Sequence, residues 1–213
     1  AYQKITVVAH MERPDGRAQR FTLERGAAPQ RTFVKSQGNA CQFAKDVSAD
    51  VKYEHSYRLL IVWGHAMGLA TSIEGAGTVV VRPLLGNVNG SVLGCIREPA
   101  RLHLLGFDCC HMSTAEVMTF LRLAQQESVD LVLAPQATIG RAGWRYDHLL
   151  EALLHHSDGD PGNAALPPQA LGTHVVEHVG SGPGAARSMS MIDLCHVLKG
   201  TTKVPRLIPL LSD

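Results

Sequence analysis

The chain has 213 residues, of which 45% are hydrophobic and 18% charged, and its formal net charge is +1. This length is enough for one sizeable core, so we expect a single domain over residues 1–213. The near-neutral charge gives no indication of a nucleic-acid partner. No apolar run approaches the roughly 20 residues of a membrane-spanning helix, so we expect no membrane partner either.

The chain contains five cysteines, an odd number that does not suit a disulfide-bonded scaffold. This count favours a reducing compartment such as the cytoplasm. The first residue is Ala1 and not Met, which fits a processed chain or a fragment of a larger protein. A secreted protein that has lost its signal peptide is therefore an open alternative.

A β-hairpin is predicted at the start of the chain. Residues 4–11 and 19–24 have the composition of strands and flank the turn sequence Arg-Pro-Asp-Gly at 13–16. Residues 40–47 are predicted to form a helix.

Three further strands are predicted in the middle of the chain. Residues 58–63 are continuously apolar after Arg58, which is typical of a strand buried on both faces, and we expect this strand to end at Gly64. Residues 78–84 and 101–108 predict the other two strands, and the second of these runs directly into Cys109 and Cys110.

The second half of the chain alternates helices and strands. Ser113 and Glu116 fit a capping box at the start of a helix over 113–127. The apolar face of the helix predicted over 145–156 includes Tyr146. The remaining predictions are a strand at 129–135, helices at 145–156 and 167–179, a loop at 181–187, and a strand, a helix or both at 188–199.

Strands that alternate with helices predict an α/β protein with a mostly parallel sheet and helices on both faces. In such folds, sites form beyond the carboxyl ends of the strands. Chemically active side chains follow two of these ends, namely His65 in one case and Asp108 with Cys110 in the other.

Strand alternation separates the two adjacent thiols. Cys109 shares its parity with Phe107, and Cys110 shares its parity with Asp108. Because Asp is seldom fully buried, we expect Asp108 and Cys110 on the open side and Cys109 in the core. Cys110 also precedes a helix start, where the partial positive charge favours a thiolate. Cys110 is the predicted nucleophile, and a small buried hydrophobic residue is the alternative.

His65 is the predicted partner of the nucleophile, because small residues surround it at a neighbouring strand end. The alternative is an ordinary loop residue. Cys109, Cys110 and His111 do not predict a metal site, because adjacent ligands on a strand diverge and the chain has no C-x-x-C partner. We expect neither a metal nor a cofactor.

Four segments, in order over residues 58–199, resemble clostripain-like cysteine peptidases of the caspase–gingipain–clostripain clan. Residues 59–68 resemble the His-Gly loop of that family, and residues 106–117 resemble its Phe-Asp-Ala-Cys-Leu-Met segment, in which the Cys aligns with Cys110. The other two segments contain Gly143, Trp144 and Tyr146, and Ser190, Asp193 and Leu194. Two departures are Ala66 in place of Gly and His111 in place of Leu.

The resemblance implies a caspase-like three-layer sandwich and a cysteine endopeptidase. Cys110 would attack the scissile carbonyl, and His65 would protonate the leaving amine. Backbone N–H groups near Ala66 and Cys110 would hold the oxyanion. The expected substrate is a protein or peptide, and a regulatory or activating subunit is a further option.

The resemblance also implies a substrate-binding set of Asp108, Gln136 and Trp144. Asp108 would line the S1 pocket and favour cleavage after Arg or Lys, with Arg preferred because it pairs with a carboxylate in a bidentate manner. The alternative for Asp108 is a structural cap of a neighbouring turn. For the whole chain, the alternatives are a catalytically silent caspase-like module that binds a partner within a larger complex, and an acyl-transfer enzyme.

Overall fold

A computed structural model describes eleven segments of the chain. These are residues 6–12, 17–24, 27–35, 57–67, 70–73, 77–80, 102–125, 129–139, 143–155, 167–179 and 189–194. The predicted helix at 40–47 and the predicted loop at 181–187 lie outside the described residues.

The first three strands form a separate antiparallel sheet in the order β1-β2-β3, with β1 at Thr6–Glu12, β2 at Arg17–Glu24 and β3 at Gln30–Lys35. The predicted hairpin is confirmed, since β1 and β2 pair along their length. The sequence analysis missed β3, whose residues Gln30 to Phe33 are all exposed and therefore show no buried face.

The central sheet has six described strands in the order β6-β5-β4-β7-β8-β9. β4, β7 and β8 are parallel, whereas β5, β6 and β9 are antiparallel to their neighbours. The bounds are β4 Leu59–Met67, β5 Ala70–Ile73, β6 Gly77–Val80, β7 Leu102–Asp108, β8 Val129–Pro135 and β9 Met189–Asp193.

The α/β class is confirmed, but the sheet is mixed, and among its six described strands only β4, β7 and β8 are parallel. One reason lies in the connection between β4 and β5, which contains only residues 68 and 69. A parallel neighbour requires a crossover of a dozen or more residues. A connection of two residues therefore returns the chain in the antiparallel direction.

β4 is longer than the sequence predicts. It does not end at Gly64 but continues through His65 and Ala66 to Met67. Its first part, to Trp63, pairs with β7, and its last four residues pair with β5 instead. This change of partner supplies hydrogen bonds to the extended backbone beyond the end of β7. His65 and Ala66 therefore lie on a paired strand.

Three described helices pack on this sheet, namely α1 at Ala115–Gln125, α2 at Tyr146–His155 and α3 at Pro168–His174, which continues into a π-helical turn at Val175–Val179. The cap of α1 is Thr114 and not Ser113. The Thr114 hydroxyl accepts a hydrogen bond from the Val117 N–H at 3.3 Å, as an N-cap does for the third helical residue. The Ser113 N–H instead donates to the Pro135 carbonyl at 2.9 Å.

The core lies on both faces of the sheet. On one face, Phe107 and Val132 of the strands belong to one buried cluster with Val117 and Leu121 of α1. On the other face, Leu104 and Leu133 belong to a cluster with Trp144, Leu149 of α2 and Leu171 of α3. The expected three layers, with helices on both faces, are confirmed. In the described part of the chain, no helix is both long and apolar enough to cross a membrane.

Candidate active site

Residues 109–111 follow the end of β7 directly and contain the predicted nucleophile Cys110, so we call them the nucleophile turn. Within it, Cys109 is only 1% exposed and belongs to the same buried cluster as Phe107, so its predicted core position is confirmed. Its thiol donates to the Val62 carbonyl at 3.4 Å. Burial, and after it electrostatic interaction with the neighbouring Asp108 and Cys110 groups, raises the pKa of the Cys109 thiol to about 12. Cys109 is therefore a protonated core residue at neutral pH.

Cys110 is partly exposed at the same sheet edge. Its sulfur accepts a hydrogen bond from the Ile139 N–H at 3.3 Å and lies 3.9 Å from the Ile139 carbonyl oxygen. Ile139 belongs to the segment that follows β8, the strand next to β7. The thiol thus lies between the ends of two parallel strands, with one backbone donor directed at it.

Asp108 is completely buried, so the prediction that it faces the open side is wrong. Its Oδ2 atom accepts a hydrogen bond from the Trp144 N–H at 3.0 Å and another from the Tyr146 hydroxyl at 2.9 Å. Burial raises the pKa of Asp108, and the two hydrogen bonds act in the opposite direction. Paired donors explain how a carboxyl group is accommodated here, since a buried polar group is costly only when it is left unpaired. Oδ1 has no hydrogen-bond partner among the described residues.

The Tyr146 hydroxyl remains a donor to this carboxyl group. Burial, together with the negative charge of Asp108, raises the pKa of Tyr146, so the phenol keeps its proton. Tyr146 as a whole is 37% exposed, and its ring lies 6.5 Å from the Trp144 ring, measured between centroids. The sequence analysis treated Tyr146 as part of an apolar helix face and missed this contact. No local signal indicated it, because Asp108 was expected to be exposed and the contact joins residues 38 positions apart.

Two glycines leave room for these groups. A Cβ atom on Gly106 would lie 2.7 Å from the Trp144 ring, so the ring packs directly on the β7 backbone. A Cβ atom on Gly143 would lie 2.5 Å from Asp108 Oδ2. Gly143 also has a φ angle of +64°, which L side chains rarely adopt.

Gly143→Ala is expected to destabilise the fold. The left-handed backbone alone costs a non-glycine residue about 1–2 kcal/mol, and displacement of the Asp108 carboxyl group adds to this cost. Urea unfolding measures the effect. Gly172→Ala is the matched control, because Gly172 has a helical backbone and its added methyl would meet the flexible Met191 side chain, with only an ordinary contact to Leu133. Equal stability of Gly143→Ala and the wild type would contradict this account of Gly143.

β4 carries His65 and Ala66 to the same edge of the sheet as the nucleophile turn. Trp63 is paired in register with Asp108, and His65 follows Trp63 by two residues on a strand that continues past the end of β7. His65 itself is paired with Ser72 of β5.

The other two residues of the predicted substrate-binding set lie in different surroundings. Gln136 is exposed just after β8, and its side-chain amide donates to the Ser190 hydroxyl of β9 at 3.0 Å. Trp144 is only 4% exposed and belongs to the core. Trp144 reaches the site through its backbone N–H, which donates to Asp108. Among the residues described, no group of three or more His, Cys, Asp or Glu side chains could hold a metal ion.

Comparison with solved structures identifies the fold. The chain is similar to an inactive zymogen C11 protease from Parabacteroides distasonis, with a TM-score of 0.57 at 12% identity, covering 90% of this chain and 52% of that one. It is also similar to a secreted C11 cysteine protease from Bacteroides thetaiotaomicron, "iotapain", with a TM-score of 0.62 at 12% identity, covering 90% and 56%. A third similar structure is described as a secreted C11 cysteine protease from the same species in complex with an irreversible peptide inhibitor. Its TM-score is 0.56 at 15% identity, and the match covers 90% of this chain and 56% of that one.

These structures define the class as the caspase-like α/β fold of C11 proteases, and the chain spans about half the length of the solved relatives it matches. No curated protein matches the chain. The model of the clostripain family, peptidase C11, matches residues 36–213. The chain belongs to the clostripain family, a family of cysteine peptidases.

Proposed function

We propose that the chain is a cysteine endopeptidase that cleaves peptide bonds after Arg or Lys through a Cys110–His65 pair. One observation carries the proposal. The partly exposed Cys110 thiol lies at the end of β7, next to the strand that carries His65, whereas its neighbour Cys109 is buried and protonated. Membership of the clostripain family supports the same chemistry.

In the proposed reaction, the Cys110 thiol gives its proton to the His65 imidazole, and its sulfur attacks the scissile carbonyl. The imidazolium then protonates the leaving amine as the C–N bond breaks. Backbone N–H groups near Ala66 and Cys110 stabilise the tetrahedral oxyanion. Ala66 keeps this N–H although it replaces glycine. Water then hydrolyses the acyl-enzyme and regenerates the thiol. Loss of one oxyanion donor typically costs about 3 kcal/mol, so the backbone at Ala66 matters as well as the side chains.

Asp108 is the proposed recognition group for the basic P1 side chain. Its Oδ2 is occupied by the Trp144 and Tyr146 donors, whereas Oδ1 has no hydrogen-bond partner among the described residues. A buried carboxylate oxygen without a donor is a costly arrangement that a guanidinium or ammonium group would relieve. Because Asp108 has no exposed area, the substrate has to displace a neighbour, and we place its entry beside the partly exposed Tyr146.

Gln136 and Trp144 take different parts in this proposal. Gln136 is exposed at the edge of the sheet and offers an amide to the peptide substrate. Trp144 acts indirectly, because its backbone N–H holds Asp108 while its ring lies in the core.

A series of fluorogenic peptides that differ only at P1 tests the specificity. We expect turnover of P1 Arg to exceed that of P1 Lys, and both to exceed P1 Leu and P1 Asp. Asp108→Asn should reduce the preference for Arg by about ten- to hundredfold, the value of a hydrogen bond to a charged group. Equal turnover of all four peptides by the wild type, or an unchanged profile in Asp108→Asn, would contradict the assignment. Turnover of none would favour the silent interaction module.

The same preference should depend on pH. The ratio of kcat/KM for P1 Arg to that for P1 citrulline, which is uncharged, cancels the ionisations of the thiol and the imidazole. Charged Asp108 favours Arg, so the ratio should be high at neutral pH and fall as the pH is lowered. Because burial raises the pKa of Asp108, the fall should occur at a higher pH than for an ordinary Asp. Tyr146→Phe removes a bond that lowers this pKa, so it should move the fall to still higher pH. In Asp108→Asn the ratio should not change with pH.

A further inference from the structure

The segment after β8, residues 136–139, which we call the β8 loop, is bonded to the nucleophile turn at each of its four residues. The His111 ring contacts the Gln136 carbonyl through Nδ1 at 3.2 Å and the Thr138 hydroxyl through Nε2 at 3.1 Å. The His111 N–H donates to the Ala137 carbonyl at 3.3 Å. The Ile139 N–H donates to the Cys110 sulfur at 3.3 Å.

His111 adopts the conformation that this arrangement requires. Its φ angle is +56°, in the left-handed region, and among the described non-glycine residues it is the one with a positive φ. His is among the side chains that tolerate this region better than most. The Gln136 carbonyl can only accept, so Nδ1 carries a proton and donates to it. Nε2 pairs with the Thr138 hydroxyl, which can either donate or accept. Both ring nitrogens are thus occupied by the β8 loop.

We propose that His111 is a positioning residue, which fixes the β8 loop against Cys110 and thereby sets the distance between the Ile139 N–H and the attacking sulfur. The inference rests on the proposed function, in which Cys110 is the nucleophile. It gives the second imidazole beside the nucleophile a role distinct from proton transfer, because both of its nitrogens have partners in the loop.

The proposed effect is on the chemical step and not on substrate binding. Without the ring, the β8 loop keeps one backbone bond to His111 but loses both side-chain bonds. The Ile139 N–H can then move away from the sulfur, and the thiol can rotate away from the direction of attack. A misplacement of about 1 Å at a reacting group can lower a rate by about a hundredfold.

His111→Gly tests the proposal, since glycine keeps the positive φ and removes only the ring. With a P1 Arg peptide, kcat should fall by about ten- to hundredfold while KM stays within about twofold. Thr138→Val removes the partner of Nε2 and should lower kcat by a smaller factor. The double variant should be no slower than His111→Gly alone, because the Thr138 bond acts through the ring. Thr173→Val, an exposed threonine on α3, is the matched control.

A wild-type rate in His111→Gly would overturn the proposal. A loss in the double variant equal to the product of the two single losses would also overturn it. If His111→Gly does not fold, Thr138→Val alone decides the matter, and an unchanged kcat would overturn it. Amide hydrogen exchange at residues 137–139 is a readout independent of activity, and it should accelerate in His111→Gly. Unchanged exchange would overturn the proposal. A wild-type chain that cleaves no peptide would refute the proposed function, and exchange would still report whether His111 holds the loop.

Discussion

Cys110→Ala is expected to abolish both peptide cleavage and labelling by a P1 Arg acyloxymethyl ketone. The reason is the contrast between the two adjacent thiols. Cys110 is partly exposed, with the Ile139 N–H directed at its sulfur, whereas the pKa of Cys109 is raised to about 12 and its side chain is buried. The mass of the probe adduct, located by peptide mapping, should therefore identify Cys110 alone.

Cys109→Ala is the matched control for this prediction. It should keep most of the activity and lose about 1 kcal/mol of stability, as expected when one small buried group is removed. In the folded wild type, iodoacetamide should alkylate Cys110 first and reach Cys109 only on unfolding. A folded Cys109→Ala variant without activity, together with an active Cys110→Ala variant, would show that the nucleophile is Cys109.

His65→Ala is expected to lower the rate of acylation by about 10²- to 10⁴-fold, which is the usual value of one general acid–base group. The placement of His65 on β4, two residues beyond the position paired with Asp108, supports this expectation. Burst kinetics with a P1 Arg ester and with the matching amide measure it. The acylation rate of the amide should fall further than that of the ester, because the amine leaving group needs a proton from the general acid.

His111→Ala is the comparison variant, since it removes the other imidazole near the nucleophile. We expect a smaller loss than for His65→Ala, because the His111 ring is bonded to Gln136 and Thr138. Equal losses in the two variants, with the same difference between ester and amide, would mean that both rings take part in proton transfer. The simple Cys110–His65 pair would then be abandoned.

Most of the central elements could be predicted because their information is local. Continuous apolar runs predicted β7 and β8, and helical periodicity predicted α1 and α2. Alternation along a strand correctly placed Cys109 with Phe107 in the core. The same alternation failed for Asp108. The rule that a charged side chain avoids burial holds only where no hydrogen-bond donors are available. Here the donors come from residues 36 and 38 positions later in the chain.

The sequence by itself determined the class of fold, most of the elements of the central sheet and the two segments at which chemistry is expected. The tertiary structure decided the features that depend on distant partners. β4 extends through His65 because β5 pairs with it beyond β7, and the His111 ring is occupied by residues 25 and 27 positions away. Asp108 is buried because Trp144 and Tyr146 supply its hydrogen bonds. Local periodicity records which face of an element is apolar, but a hydrogen bond between distant residues exists only once the sheet has brought them together.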